Sequence, residues 1–234
     1  RAGPHWHLLR LDRRDQRAFA AEWSHLFLQF RPGDLAHFEH SSKHWLPPAA
    51  DPEVWHPLTV PPDSLPVHDV VLCASTDPQV HRDRVALVEH LQRAGIEVHV
   101  AHAFGARANA LYGRSRVVLN RSLAGDCNLR VPEVLLAGAR LVTDEVDGLS
   151  RFGVRGYRSP EEAVAMVRDA LAWLPETHAA MTGTLRRWAL RQHTWQHRVR
   201  AVLEVLGLGE GKNAANDAVG GVRGTVVREL HCPG

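Results

Sequence analysis

The sequence predicts an α/β protein: a Rossmann-like parallel sheet with helices on both faces, joined to an incomplete N-terminal segment. Three observations carry this reading. Between about residues 66 and 206, short all-apolar runs alternate with stretches whose apolar residues fall on one helical face, the pattern of a parallel sheet. Glycine, proline and small polar residues punctuate the exchanges. A chain of 234 residues, 44% of them apolar, can also bury a full domain core, which excludes disorder as the default.

The elements follow in order. His68 to Ala74 reads as a buried strand, bounded by Pro66 and the polar turn STDPQ. Arg84 to Ala94 sets Leu87, Val88, Leu91 and Ala94 on one helical face, and Gly95 supplies the stop. Ile96 to Val100 is the second strand. ALYGRS then leads into a third, with Val117, Val118 and Leu119 at its centre. A helix from about Leu129 to Ala137 ends near Gly138, and Leu141 to Thr143 follows as the fourth strand. Val154 to Tyr157 is expected as a short fifth strand. Ser159-Pro160-Glu161-Glu162 then combines an N-cap serine, a first-turn proline and a glutamate three residues after the cap. Ala163, Val167, Ala170 and Leu174 form the buried stripe of that helix. The last helical region carries Val199, Val202, Leu203 and Leu206, a stripe expected to dock on the sheet.

The flanks differ. Trp23 to Phe30 suggests a strand and Asp34 to Glu39 a short helix, after which Pro47, Pro48, Pro52, Pro57, Pro61, Pro62 and Pro66 suggest an extended connector. Residues 1–65 therefore read as the remnant of an N-terminal domain with a proline-rich linker, 66–208 as the α/β domain, and 209–234 as a flexible tail. An opening Arg1 in place of methionine suggests a processed protein or a fragment.

Composition excludes several classes. Lys+Arg 28 against Asp+Glu 26 leaves a formal charge of +2, without the basic patch of a nucleic-acid binder. No apolar run approaches the roughly 18–20 residues of a membrane helix, and no signal sequence opens the chain. Cys73, Cys127 and Cys232 lie far apart, which speaks against a disulfide scaffold or a zinc ribbon and for a reducing, cytoplasmic setting. The histidine pairs His5 with His7 and His37 with His40 lack a third ligand at helical or hairpin spacing, so no metal site is expected. The turn ASTDPQ stands where a dinucleotide-binding strand would carry GxGxxG, which disfavours a dehydrogenase.

Four stretches carry a family resemblance: HWLPPAADPEVWHP, HDVVLCAS followed by HRDR, YGRSRVVLNRSLAGDCNLRVPEVLLAGARLVTDE, and RQHTWQHRVRAVLEVL, within residues 44–206. In this order they resemble the C-terminal half of a GT-B glycosyltransferase, specifically the CgeB-like (spore maturation protein-like) group 1 family. The third stretch is the most specific. It joins a strand ending in Asn, a polar loop, Arg-x-x-Glu at a helix start, a Gly, and a strand ending in Thr-Asp. The resemblance implies a nucleotide-diphosphate sugar as donor substrate, no separate cofactor, no obligatory metal and an acceptor of unknown kind. It also implies that Glu133 binds the ribose of the donor. The sequence departs from the group 1 pattern eight positions before Glu133, where Gly125 stands in place of a glutamate, with Asp126 beside it.

The physical logic of the third stretch points the same way. A helix that starts beyond the carboxyl end of a parallel strand aims free N–H groups at the sheet crevice and suits an anion. Asn120, Arg121, Ser122, Gly125 and Arg130 cluster there, a donor-rich set fit for a diphosphate. Glu133, one turn on, can accept from vicinal hydroxyls. Ser75, Arg82 and Arg84 follow the first strand within reach of a phosphate, and Asp144 ends the fourth. Each residue keeps a plainer alternative. The plainer reading of Arg130 is a surface arginine at a helix start, of Glu133 a first-turn acid favouring the dipole, of Asn120 and Asp144 strand ends, and of Asp126 and Asn128 N-caps. Trp188 and Trp195 read as core or lid packing. No catalytic residue can be named. The competing functions are a glycosyltransferase or its donor-binding half, a non-catalytic nucleotide- or phosphosugar-binding module of the same fold, and a sugar-nucleotide epimerase.

Overall fold

The protein is described from a computed structural model that covers residues 44–58, 68–123 and 125–208, with the backbone of residues 27–29, 43 and 228–229. Two short strands come first, β1 (Phe27–Gln29) and β2 (Lys43–Trp45). The main sheet is built from β3 (His68–Cys73), β4 (Val98–Ala101), β5 (Ser115–Leu119) and β6 (Leu141–Val142). All four run parallel in the order β4-β3-β5-β6. Six α-helices are described: α1 (Arg82–Arg93), α2 (Gly105–Gly113), α3 (Arg130–Leu136), α4 (Pro160–Ala172), α5 (Pro175–Gln192) and α6 (Trp195–Val205). A last strand, β7 (Arg228–Glu229), pairs in parallel with β2, which also pairs with β1. The chain divides into two compact units, one of which, residues 48–198, holds the four-stranded sheet.

Alternation along β3 and β5 builds a core on each side of the sheet. Val70, Leu72, Val117 and Leu119 meet Leu87, Val88 and Leu91 of α1 and Ala163 and Val167 of α4. Val71, Cys73 and Val118 face the opposite way, toward Ala108 and Tyr112 of α2, Val134 and Leu135 of α3 and Ala189 of α5. Helices therefore cover both faces, as the apolar strand runs require. Gly95 does stop α1: it adopts φ +80°, and the Gly95 and Ile96 N–H groups close back onto Gln92 and Leu91. Ser159 caps α4 by accepting from the Glu162 N–H at 3.2 Å.

Five features differ from the sequence expectation. Leu174, expected in the buried stripe of the helix after Ser159, is exposed and lies past the end of α4, because the backbone turns extended at Trp173. Val154 to Tyr157 is not a strand: only Asp144 and Tyr157 pair, as one parallel bridge, because the chain leaves the sheet at once on either side. Helix α5 carries no apolar stripe in its sequence, and only Thr182 and Ala189 are buried, yet it packs against α3 and the 3-10 turn Leu149–Phe152. Residues 48–58 are packed where an extended connector was expected. Ala49, Ala50 and Trp55 are buried, and the Ala50 N–H bonds to the His193 carbonyl at 3.1 Å. Val199, Leu203 and Leu206 are exposed, so the expected stripe of the last helix is not buried. The expected helix at 34–39 and, apart from 228–229, the expected tail at 209–234 lie outside the described residues.

Candidate functional site

The sheet order creates the site. β3 has β4 on one side and β5 on the other, and the two strands hand the chain to opposite faces: β3 leads to α1, β5 to α3. Where the connections part in this way, an open parallel sheet leaves a crevice at the carboxyl ends of its strands. Cys73, Ala74 and Ser75 form one wall of it, Asn120, Arg121 and Ser122 the other.

A buried arginine stitches the two walls together. Arg84, 7% exposed in the first turn of α1, donates through Nε to the Arg121 carbonyl at 3.1 Å and through Nη1 to the Ser75 carbonyl at 3.3 Å. Burial pulls its pKa down first, and nearby Arg130 adds to this while Asp144 opposes it. The Ser75 hydroxyl accepts from the Asp77 N–H at 3.4 Å, a local turn contact. Arg82 is exposed at the start of α1.

The loop after β5 is held from beneath by a buried carboxylate. Asp144, 2% exposed, accepts from the Ser122 N–H at 2.8 Å, from the Ser122 hydroxyl, from Thr143 Oγ1 at 3.2 Å and from Arg121 Nη1 at 3.1 Å. The other terminal nitrogen of Arg121 reaches Asp83 of α1 at 3.3 Å. Asn120, 1% exposed, donates to Thr143 Oγ1 at 2.9 Å and exchanges longer bonds with Asn128. Tyr157 adds a bond from its hydroxyl to the Asn120 carbonyl at 2.8 Å. Asn128 also accepts from the Arg130 N–H at 3.1 Å, so it does cap α3, although the residue next to the helix is Leu129.

On the other side of the crevice stand Arg130 and Glu133, one turn apart on α3 and only partly exposed. Arg130 Nε donates to the Tyr112 hydroxyl at 3.0 Å, and among the described residues its terminal nitrogens have no protein acceptor. Burial raises the pKa of the Glu133 carboxyl, with Arg130 pulling it back. Burial raises the pKa of the Cys73 thiol at the end of β3, with Arg130 lowering and Glu133 raising it, and Cys73 shares one core with Val131 and Val134 of α3, the helix that carries the pair. Tyr112 is buried, its phenol held protonated by desolvation, and its ring stacks on Trp55 with centroids 5.6 Å apart.

The structure thus gathers Ser75, Arg84, Asn120, Arg121, Ser122, Arg130, Glu133 and Asp144 around one crevice, but in two kinds. Asn120, Ser122, Asp144 and Arg84 are buried and bonded within the chain, so they shape the walls. Ser75, Arg121, Arg130 and Glu133 keep partial access to solvent. Tyr112, Tyr157 and Asp83 belong to the same network and were not singled out in the sequence as site residues, whereas Thr143 was read with Asp144 at the carboxyl end of its strand. Tyr112 sits at an apolar position of its helix, and no local pattern marks it as a partner of Arg130. Among the described residues, no three His, Cys, Asp or Glu side chains are grouped to hold a metal, and no helix is long and apolar enough to cross a membrane.

Comparison with known proteins bears on this site. Residues 80–204, more than half of the chain, match the model of a family described as glycosyl transferase-like. No curated protein matches the sequence. Among solved structures, a glycosyltransferase from Rickettsia africae is similar at 10% identity and a TM-score of 0.62, over 83% of this chain and 66% of that one. A sucrose-phosphate synthase from Thermosynechococcus elongatus is similar at 13% identity and a TM-score of 0.60, over 87% and 61%. WaaG, a glycosyltransferase of lipopolysaccharide biosynthesis, gives 16% identity and a TM-score of 0.58, over 86% and 70%. The chain therefore spans about two thirds or less of the first two. These likenesses show a shared GT-B fold.

Proposed function

Because this chain belongs to the glycosyl transferase-like family, we propose that it is the donor-binding half of a glycosyltransferase, which holds a nucleotide-diphosphate sugar for transfer to an acceptor. The observation that supports this best is the pairing of Arg130 and Glu133 at the switch-point crevice. One offers terminal N–H groups that have no protein acceptor among the described residues; the other is a carboxylate one helical turn away.

The chemistry follows from what a sugar-nucleotide presents. Breaking the bond between the sugar and the diphosphate leaves negative charge on the leaving phosphate. Guanidinium groups placed beside that oxygen stabilise the charge as it develops. Arg130 supplies such a group and Arg121 a second, already oriented by Asp144. The two arginines take the role a metal would otherwise fill, so the reading is of a metal-independent enzyme. Glu133 accepts from the vicinal hydroxyls of the ribose. Asn120, Ser122, Asp144 and Arg84 tie the two loops in place, and Ser75 turns the first loop. Within the family, the order of motifs favours the CgeB-like group 1 subgroup, and the sparse, separated cysteines favour a cytoplasmic setting.

Calorimetry with UDP, GDP, ADP and dTDP tests the reading. One of the four should bind, and at a hundred times its Kd it should stabilise the folded chain by about 2.7 kcal/mol. Binding of none overturns the donor site. Binding without hydrolysis or transfer of the matching sugar-nucleotide would favour the non-catalytic module.

A further inference from the structure

We propose that Tyr112 is a positioning residue for the donor site: its hydroxyl fixes the Arg130 guanidinium so that the terminal N–H groups are presented to the diphosphate. The inference rests on the donor-site reading above and adds a residue outside the loop motifs.

The geometry carries it. Arg130 is partly exposed at the first position of α3, where a long side chain would otherwise sample many rotamers. Its Nε–H, at the base of the guanidinium fork, is held by Tyr112 at 3.0 Å. A bond at Nε sets the plane of the fork and leaves both terminal nitrogens open, the arrangement that suits two-pronged contact with phosphate oxygens. Asp144 holds Arg121 differently, through a terminal nitrogen.

Tyr112 is well built for this task. It is 1% exposed, so its hydroxyl needs a partner, and Arg130 is the one it has among the described residues. The ring cannot turn away. It stacks on Trp55 at an interplanar angle of 20°, and Asn109, one turn earlier on α2, donates to the His56 carbonyl at 3.0 Å and clamps the helix to that segment. A phenylalanine would fill the same space. The hydroxyl is therefore the part of the side chain that packing does not require, and its contact is with the arginine. Fixing an arginine before ligand arrives removes an ordering penalty from binding.

The test uses the full chain and calorimetry with UDP, GDP, ADP and dTDP alongside the four matching nucleosides. Tyr112→Phe should melt at the parent's temperature and bind the preferred nucleoside diphosphate about tenfold more weakly, as expected for one charge-assisted bond, while nucleoside binding stays unchanged. Arg130→Lys, which keeps the charge but has no Nε, should show the same selective loss, and Tyr112→Phe should add nothing to Arg130→Ala. Equal diphosphate affinity of Tyr112→Phe and parent overturns the inference. So does an equal loss for nucleoside and diphosphate, which would mark Tyr112 as purely structural. A parent that binds no nucleoside diphosphate overturns the donor-site reading itself, and the inference with it.

Discussion

Replacing Glu133 by glutamine keeps the size of the side chain and removes its charge, and the structure assigns opposite signs to the consequences for stability and for binding. Burial raises the carboxyl's pKa in the folded chain more than Arg130 lowers it, so the folded state binds that proton more tightly than the unfolded state does. At neutral pH the ionised side chain therefore subtracts from stability, and Glu133→Gln should melt at the parent's temperature or above it. Binding moves the other way. The carboxylate is the acceptor offered to the ribose, and a hydrogen bond to a charged group contributes about 1.5–3 kcal/mol, so affinity for a nucleoside diphosphate should fall roughly ten- to a hundredfold. pH supplies an internal control. In the parent, binding should begin to weaken on acidification above the ordinary carboxylate range, because the raised pKa neutralises Glu133 early; in Glu133→Gln this component should be absent. Calorimetry across pH with thermal melts of both proteins measures all three. A variant that binds as tightly as the parent, or that loses stability and affinity together, refutes the reasoning.

Other consequences concern the frame. His193 stacks on Phe152, its Nδ1 accepts from Arg198 at 2.8 Å and its Nε2 faces the Arg151 carbonyl at 3.0 Å, an arrangement that only the neutral ring satisfies. Burial, then Arg198, lowers its pKa to about 3, so its contribution is complete above about pH 6.5 and lost on acidification toward pH 3, at about 1.4 kcal/mol per pH unit. Urea titrations at pH 6, 5 and 4 should show close to that slope, and His193→Gln should flatten it; identical slopes would contradict the assignment. Asp144→Asn should destabilise the chain by roughly 2–3 kcal/mol, less than for a fully buried pair because Arg121 reaches solvent, and an unchanged urea midpoint would show that the loop does not depend on this carboxylate. At Gly156 an added Cβ would come within 2.3 Å of the Glu145 nitrogen, so Gly156→Ala should cost about 1–3 kcal/mol, readable as a drop in melting temperature.

The sequence by itself determined the parts of this protein that are local. Val70 to Cys73 and Val117 to Leu119 are strands buried on both faces because every side chain in them is apolar, and no neighbour is needed to see it. Gly95 and Ser159 mark helix ends because backbone conformation and capping depend on a few adjacent residues. The motif around Arg130 and Glu133 was legible too, since one turn of helix fixes their spacing. Tertiary structure alone decided which residues complete the site. Tyr112 meets Arg130 across 18 positions, and Arg84 reaches the Arg121 carbonyl across 37. It alone turned residues 48–58 from a proline-rich stretch into a packed segment that seats Trp55 on Tyr112. It also made a helix of α5, whose sequence lacks a buried stripe and whose Arg186 donates to the Leu136 carbonyl at the end of α3. The physical reason is common to all of these. Strand character and capping are set by a residue's own backbone and side chain, whereas a buried polar group takes whichever partner the fold brings to it.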